Sequence, residues 1–269
     1  MVDPLSPHAA PETPPPDAMN ILILGGTGEA MALARALAPD SRFAPLLSLA
    51  GRTKNPAPPP IPWRCGGFGG AAGLAAFLAT HQFAAMIDAT HPFALQISAN
   101  ARKAAAIAGV PLLTLTRPPW IAKPGERWTI VRDLAAAAQA LGPKRRRVFL
   151  TIGRQDLLPF RAAPWHHYLI RSVDPPDPAF LPPDCDIISA RGPFSEDDER
   201  ALLASRAIEV LVSKNSGGAM RAKLDAAQAL AIPVVMIARP PPPASGPVVT
   251  DRDGALAWLG RLHDAKRGV

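Results

Sequence analysis

Short apolar runs alternate with alanine-rich segments along most of the chain. Residues 21–24 have the pattern of a buried strand, and residues 28–38 have that of a helix after it. The same pattern predicts strands at 43–49, 84–88, 110–115, 128–131, 147–151, 167–171, 186–190, 208–212, 233–237 and 248–250, and helices at 74–80, 93–108, 133–141, 195–205, 219–230 and 253–263. Because such alternation is typical of parallel sheets with helices on both faces, we predict an α/β fold.

Prolines mark the predicted domain boundaries. Residues 118–126 contain three prolines and a glycine, and they separate two series of strands and helices. We therefore predict two Rossmann-like open parallel-sheet domains, at 19–118 and 119–269, with a ligand crevice between them. Residues 1–18 are rich in proline and have no apolar core region, which predicts a disordered tail rather than a signal or transit peptide.

Composition narrows the class of protein. Hydrophobic residues make up 48% of the 269 residues and charged residues 19%, which is sufficient for a sizeable core. The formal net charge of +7 suits an anionic ligand, and an aromatic content of 6% argues against a platform for single-stranded nucleic acid. No apolar run approaches the ~18 residues of a membrane span. Cys65 and Cys185 are far apart, which excludes a disulfide framework or a cysteine metal site and favours the cytoplasm.

The first predicted strand leads directly into a glycine-rich turn and a helix. Gly25, Gly26, Thr27 and Gly28 would let a phosphate approach the backbone at the helix N-terminus. Met31 occupies the position of the third glycine in the usual dinucleotide motif, so a tight turn without a ligand is the alternative.

The end of the second predicted strand indicates which dinucleotide would bind. It carries Arg52, Thr53 and Lys54 and no acid, whereas NAD sites often have an acid there for the ribose. This favours NADP in the first domain, and a solvated basic loop is the alternative.

Residues 88–94, after the next central strand, supply further candidates. Asp88 is predicted to lie at the carboxyl end of the strand, and Thr90 is predicted to cap the helix that follows. His91 is a candidate base or ligand contact, with a purely structural role as the alternative.

The second half of the chain places a cation after each of four predicted strands. They are Arg154, Arg171, Arg191 and Lys214, and the loops of a parallel sheet collect them at one rim. These charges would repel one another without an anion, which predicts a ligand with several carboxylates or phosphates. The acids at 196–199 fit a capped helix start, so we interpret them as structural. The sequence predicts no metal site.

Several motifs, in this order and spacing, resemble the precorrin-6A reductase family. They are residues 21–30, 87–94 with 97–100, 151–154, 211–218 and 233–240, and the resemblance covers about 19–262. It implies NADPH-dependent reduction of one double bond of precorrin-6A, a polycarboxylate tetrapyrrole, to precorrin-6B.

The resemblance also implies roles for individual residues. The implied cofactor contacts are Gly25, Gly26, Thr27, Gly28, Arg52, Thr53, Thr90, His91 and Phe93. The implied substrate contacts are Arg154, Arg171, Arg191, Lys214, Asn215, Ser216 and Gly217. Lys214 is the first candidate for the proton donor, His91 is the second, and Asp88 completes the candidate catalytic residues.

Other functions remain open at this point. The cobalt-containing substrate is one alternative, and a nucleotide- or tetrapyrrole-binding module without turnover is another. A nucleic-acid binder rests on net charge alone, so we expect neither nucleic acid nor membrane as a partner, and a monomer or weak homo-oligomer.

Overall fold

The computed structural model describes residues 17–51, 58–241 and 246–268. Within them the chain divides into two compact units. The first unit runs to Arg117 and takes up the chain again from Pro241, and the second unit is Pro118–Pro240. Predictions for most of the N-terminal tail, and those for Arg52, Thr53 and Lys54, lie outside the described residues.

Strands and helices alternate through both units. The strands are β1 (Met19–Leu24), β2 (Phe43–Leu49), β3 (Trp63–Cys65), β4 (Ala85–Asp88), β5 (Leu112–Leu115), β6 (Trp128–Val131), β7 (Arg147–Thr151), β8 (His167–Ser172), β9 (Cys185–Ser189), β10 (Val210–Lys214), β11 (Val234–Ile237) and β12 (Val248–Val249). The α-helices are α1 (Gly28–Leu37), α2 (Gly70–Thr80), α3 (Leu95–Ala108), α4 (Leu134–Ala140), α5 (Glu196–Ser205), α6 (Ala222–Ala229) and α7 (Arg252–Arg267). Short 3-10 helices occur at Leu158–Ala162 and Pro178–Phe180.

The first unit contains a parallel sheet with the strand order β3-β2-β1-β4-β5-β12. This is the usual strand order of a dinucleotide-binding sheet. Successive strands are added in one direction from β1 to β3 and in the other direction from β4 onward, so the order reverses between β1 and β4. Alternate residues of β1 enter two different cores. Ile21 and Ile23 pack in a core with Leu33 of α1, and Leu22 packs in a core with Leu74 of α2. Helices on both faces explain why residues 21–24 of β1 are all apolar.

The second unit repeats this arrangement with the strand order β9-β8-β7-β10-β11-β6, again parallel. Here the order reverses between β7 and β10. Phe149, Leu211 and Met236 are fully buried in a core that includes Leu203 of α5 and Leu224 of α6. The predicted α/β fold with two Rossmann-like parallel sheets is therefore confirmed.

The C-terminal segment differs from its predicted place in the second domain. Strand β12 pairs with β5, with Val248 beside Thr114. Ala255 and Leu259 of α7 are buried in the core of the first unit. The outer position of the second sheet is taken instead by β6, which pairs with β11. The alternation of strands and helices does not specify which sheet a strand joins, so the sequence could not show this return.

Two local features also differ from the prediction. Strand β3 was not predicted, because its three residues follow directly on a proline-rich stretch. Helix α3 begins at Leu95 with Ala94 at its N-cap, two residues later than expected. Among the described residues, no helix combines the length and the apolar character needed to cross a membrane.

Candidate active-site loops

The turn between β1 and α1 leaves little room for a side chain at Gly25 and has a backbone conformation typical of glycine at Gly26. A Cβ on Gly25 would lie 2.6 Å from Leu47 Cδ1, and Gly26 has a φ of +111°. At Gly26 and Gly28 a Cβ would meet nothing within 4 Å, so the space beside these two residues is open. The backbone of this turn is thus accessible next to the N-terminus of a ten-residue helix, which is the arrangement that binds phosphate groups.

Thr27 joins this turn to the neighbouring strand. Its hydroxyl accepts a hydrogen bond from Ala30 N at 3.1 Å, which caps α1, and donates one to Ala89 O at 2.7 Å. The hydroxyl therefore links the ends of β1 and β4, the two strands between which the sheet order reverses. Its side chain therefore supports the shape of the loop between β1 and α1.

A carboxylate that the sequence analysis did not single out lies in the first turn of α1. Glu29 Oε2 is 2.5 Å from Arg117 Nη1, and both side chains are largely buried. The helix dipole favours an acid at this position, and Arg117 balances its charge beside the glycine turn. No motif pairs these residues, which are 88 positions apart.

Asp88 shapes the loop after β4. It is only 4% exposed, and its Oδ1 accepts hydrogen bonds from Thr90 N at 3.1 Å and Thr90 Oγ1 at 2.7 Å. Thr90 Oγ1 also lies 3.3 Å from Ser98 Oγ in α3. The prediction that Thr90 caps α3 is wrong, because Asp88 engages the threonine side chain and the helix starts later.

His91 and Phe93 lie beside each other in the same loop. Phe93 N donates to His91 Nδ1 at 3.3 Å, and the ring centroids are 5.8 Å apart. With Nδ1 as an acceptor, a neutral His91 carries its proton on Nε2. His91 is thus a possible donor at this loop, and both side chains are partly exposed.

The end of β2 lies next to a fully buried arginine. Arg64 in β3 donates to Ser48 Oγ at 2.8 Å and to the carbonyl oxygens of Gly66 and Gly67 at 3.0 Å each. Its guanidinium also stacks 4.2 Å from the centre of the Phe68 ring. Arg64 therefore fixes the turn after β3 beside the end of β2. Arg64 was not among the predicted site residues, because β3 itself was not predicted.

In the second unit, Lys214 ends β10 and forms an ion pair with Asp156 from the loop after β7. Lys214 Nζ lies 2.6 Å from Asp156 Oδ2, and the side chains are 13% and 29% exposed. Thr151 Oγ1 also donates to Val212 O at 3.0 Å. The carboxyl ends of β7 and β10 are thus joined where this sheet reverses its order. Asp156 was not among the predicted site residues.

The amide of Asn215 binds backbone within the second unit. Its Oδ1 accepts from Trp120 N at 2.8 Å, and its Nδ2 donates to Trp120 O at 2.9 Å. Trp120 Nε1 donates in turn to Gly218 O at 2.7 Å. The predicted substrate contact is thus a side chain that anchors the segment after Pro118.

Ser216 and Gly217 lie in the same packed turn. Arg239 Nη2 donates to Ser216 O at 2.7 Å, and Arg239 Nε donates to Asn215 O at 3.2 Å. A Cβ on Gly217, which has a φ of +69°, would overlap Pro118 O and the Arg239 guanidinium. The need for glycine here is therefore explained by packing inside the unit.

The guanidinium of Arg171 is bound by side chains of the second unit. It forms a two-pronged ion pair with Glu199 of α5, which is 1% exposed, and its guanidinium lies 3.8 Å from the centre of the Phe194 ring. The capped helix start is confirmed, because Ser195 Oγ accepts from Asp198 N at 3.1 Å. Glu199, however, acts as the counter-ion of Arg171 and does more than stabilise the helix start.

The expected repulsion among the rim cations is therefore wrong. Arg154 Nη1 lies 3.9 Å from Asp174 Oδ2. Arg171 and Lys214 likewise pair with Glu199 and Asp156. Arg191 is exposed in the loop after β9. Asp156 follows Arg154 by two positions and Asp174 follows Arg171 by three, which is the signal that could have identified both acids.

Comparisons with known proteins agree on one family. A family model described as precorrin-6x reductase CbiJ/CobK matches residues 20–260. A precorrin-6A reductase from Sinorhizobium sp. is 54% identical over 237 residues, which are 88% of this chain and 90% of the relative. A solved structure of the CobK precorrin-6A reductase has 48% identity and a TM-score of 0.86, and the match covers 91% of this chain and 97% of that one. A cobalt-precorrin-6A reductase from Salmonella typhimurium is 30% identical over 267 residues, 89% of this chain and 97% of the relative.

Proposed function

The chain belongs to the precorrin-6x reductase family and reduces precorrin-6A in cobalamin biosynthesis, and we propose that NADPH is the reductant and precorrin-6B the product. The metal-free substrate is favoured because the relative at 54% identity is named for it, whereas the relative named for the cobalt substrate is 30% identical. NADPH, when bound, supplies a hydride equivalent to one double bond of the macrocycle.

The turn between β1 and α1 is the observation that carries the cofactor assignment. It combines a φ of +111° at Gly26, open space beside Gly26 and Gly28, and the N-terminus of α1 at the sheet's point of reversal. These features fit a pyrophosphate, which needs close backbone approach and N–H donors. Thr27 and Asp88 keep the two loops in shape, and Thr90, His91 and Phe93 would contact the nicotinamide end.

The preference for the phosphorylated cofactor rests on charge near the end of β2. Residues 48–54 contain Arg52 and Lys54 and no acid. Arg64, in the neighbouring strand β3, adds a buried positive charge that is hydrogen-bonded to Ser48 of β2. A basic site of this kind suits a 2′-phosphate and lacks the acid that would bind an unmodified ribose. We therefore assign the 2′-phosphate contact to Arg52 with Thr53.

Substrate carboxylates are assigned to the cations of the second unit that keep some exposure. Arg154 and Arg191 are the proposed contacts, together with Lys214. A lysine ammonium has three N–H donors, so its bond to Asp156 is compatible with a bond to the substrate. Arg171 supports the loop at Phe194 instead, because Glu199 neutralises it in a buried pair.

Reduction of a double bond also requires a proton, which we assign to Lys214. The Lys214 ammonium would give its proton to the carbon of the double bond that does not receive the hydride. This would leave a neutral amine, which solvent would reprotonate. General acid catalysis by a positioned group typically contributes about 10²–10⁴-fold. His91, with its proton on Nε2, is the alternative donor.

Substrate-dependent oxidation of NADPH tests the function. Purified protein is incubated with NADPH and precorrin-6A, and the loss of nicotinamide absorbance is followed together with the mass of the product. We expect oxidation only when both are present, and a product two hydrogens heavier. Binding of either compound without oxidation would indicate a binding module. Faster turnover of the cobalt-containing substrate would move the protein to the other branch of the family.

A further inference from the structure

Asp156 is a carboxylate that pairs with Lys214, the proton donor proposed for the second unit. Its Oδ2 is 2.6 Å from Lys214 Nζ. Lys214 is the last residue of β10, and Asp156 follows β7 by five residues. Because β7 and β10 are paired neighbours, the ion pair closes the gap between the two strand ends at the reversal point of this sheet.

We propose that Asp156 is a positioning residue for the reduction of precorrin-6A. It holds Lys214 Nζ at the carboxyl edge of the sheet, where the ammonium delivers its proton. This inference rests on the proposed role of Lys214 as the proton donor. Asp156 acts on the reaction only through Lys214, whose ammonium it holds.

Lys214 requires such a partner because its side chain is long and flexible. A free lysine side chain samples many rotamers, and proton transfer demands a heavy-atom separation of about 2.6–3.2 Å. An ammonium that samples many rotamers reaches this geometry only rarely. The bond to Asp156 restricts Nζ in advance, and the low exposure of Lys214, at 13%, weakens the screening of the pair by solvent.

Asp156 is in turn held by its own loop. Asp156 N donates to Gly153 O at 3.1 Å, which closes a tight turn after β7. Gly153 has a φ of +106°, and a Cβ there would lie 3.2 Å from Asp156 Oδ2. The backbone conformation therefore favours glycine, and any larger residue there would crowd the carboxylate. The turn presents Asp156 to Lys214 as a prearranged unit.

A purely structural role for Asp156 makes a different prediction. If the pair only stabilised the loop, its loss would lower the activity by the same factor whether or not Lys214 were present. If Asp156 acts through Lys214, its loss has no further effect once the ammonium is gone. Effects of residues that act as a unit are strongly non-additive, and a double-mutant cycle measures this directly.

The experiment compares Asp156→Asn, Lys214→Met and the double variant by steady-state kinetics with precorrin-6A and NADPH. We expect Asp156→Asn to lower kcat about 10-fold or more, and Lys214→Met to lower it about 100-fold, as loss of a general acid does. The double variant should match Lys214→Met within about twofold, too small a difference to represent even 1 kcal/mol. In all three variants the KM for NADPH should remain within about twofold of its value in the unmodified protein.

Asp184→Asn is the matched control. Asp184 precedes β9 at the opposite edge of the same sheet and pairs with the exposed Arg145 and with His167. Asp184→Asn removes one negative charge from the second unit, as Asp156→Asn does, and we expect it to leave kcat unchanged. Asp156→Glu retains a carboxylate and should recover part of the lost kcat, which keeps the test informative if Asp156→Asn folds poorly.

Three results would overturn the inference. The first is a kcat of Asp156→Asn within twofold of the unmodified protein. The second is that Asp156→Asn lowers kcat by the same factor in the unmodified protein and in Lys214→Met. The third is that Asp156→Asn lowers kcat while Lys214→Met leaves kcat unchanged, which would also show that Lys214 is not the proton donor. Failure of the proposed function itself is separate, since the unmodified protein would then show no substrate-dependent oxidation of NADPH.

Discussion

The hydroxyl of Thr27 donates a hydrogen bond to the carbonyl of Ala89 at 2.7 Å, and this bond joins the loops after β1 and β4. The same hydroxyl caps α1 by accepting from Ala30 N. One side chain thus supports both the helix that faces the proposed pyrophosphate site and the strand end that carries Asp88. Disturbing it should affect stability and cofactor binding together.

We therefore expect Thr27→Val to lower the free energy of unfolding by about 1–2 kcal/mol, as the loss of an N-cap does, and to raise the KM for NADPH. Thr27→Ser restores the hydroxyl and should recover both properties. Ser195→Ala removes the cap of α5 in the second unit and should reduce stability similarly while leaving the KM for NADPH unchanged. Denaturation curves and NADPH titrations measure the two effects, and an unchanged KM in Thr27→Val would contradict the prediction.

The fold was largely readable from the sequence, because the period of the apolar residues identifies strands and helices locally. The sequence-based prediction failed for elements whose position depends on contacts between residues far apart in the chain. The edge position of β12 is determined by its pairing with β5, more than 130 positions away. No local pattern records such a pairing.

The candidate site was readable in part for the same reason. The glycines and cations after the strands have recognisable residue types at recognisable positions. Their counter-ions were not assigned, because Glu29 lies 88 positions from Arg117 and Glu199 lies 28 positions from Arg171. The sequence also could not show that Asn215 uses its amide on the backbone of Trp120.

Arg64 provides a prediction about the end of β2. Arg64→Met keeps much of the apolar volume but removes the hydrogen bonds to Ser48, Gly66 and Gly67. Hydrogen bonds to a charged group contribute about 1.5–3 kcal/mol, so thermal unfolding should begin at a clearly lower temperature. The affinity for NADPH should also fall, because the turn after β3 is released.

The control for Arg64 is another arginine of the same unit. Arg42 pairs with Asp40 and is 51% exposed, so Arg42→Met should cost less than about 1 kcal/mol and leave NADPH affinity unchanged. Equal melting temperatures for the two variants would show that the bonds of Arg64 contribute little.

Gly217 and Gly260 should respond to alanine in opposite directions. At Gly217 a Cβ would overlap Pro118 O, and the φ of +69° disfavours any side chain. Gly217→Ala should therefore destabilise the second unit and disturb the loop that carries Asn215. At Gly260, inside α7, a Cβ meets nothing within 4 Å, so alanine should stabilise the helix by about 0.5–1 kcal/mol. Chemical denaturation of both variants measures the sign, and a neutral Gly217→Ala would contradict the packing described for this turn.

His166 makes the stability of the second unit sensitive to acid. Its side chain is fully buried, and its Nδ1 accepts a hydrogen bond from Arg146 N at 3.2 Å. Burial lowers the pKa of His166 most, Arg146 and Arg145 lower it further, and the Gly142 backbone and Glu209 act in the opposite direction. The folded protein therefore holds this imidazole in its neutral form at a pH where an unfolded chain, with a pKa of about 6.5, already binds a proton.

The consequence for stability follows from this difference in proton binding. Between the lowered pKa of the folded protein and about pH 6.5, the unfolded chain binds more protons, so the free energy of unfolding rises with pH. The contribution of His166 is complete above about pH 6.5 and is lost as the pH falls through the folded pKa. We expect His166→Gln to be less stable at neutral pH but to lose less stability on acidification. Urea denaturation at a series of pH values measures both slopes, and parallel slopes for the two proteins would assign the acid sensitivity to other groups.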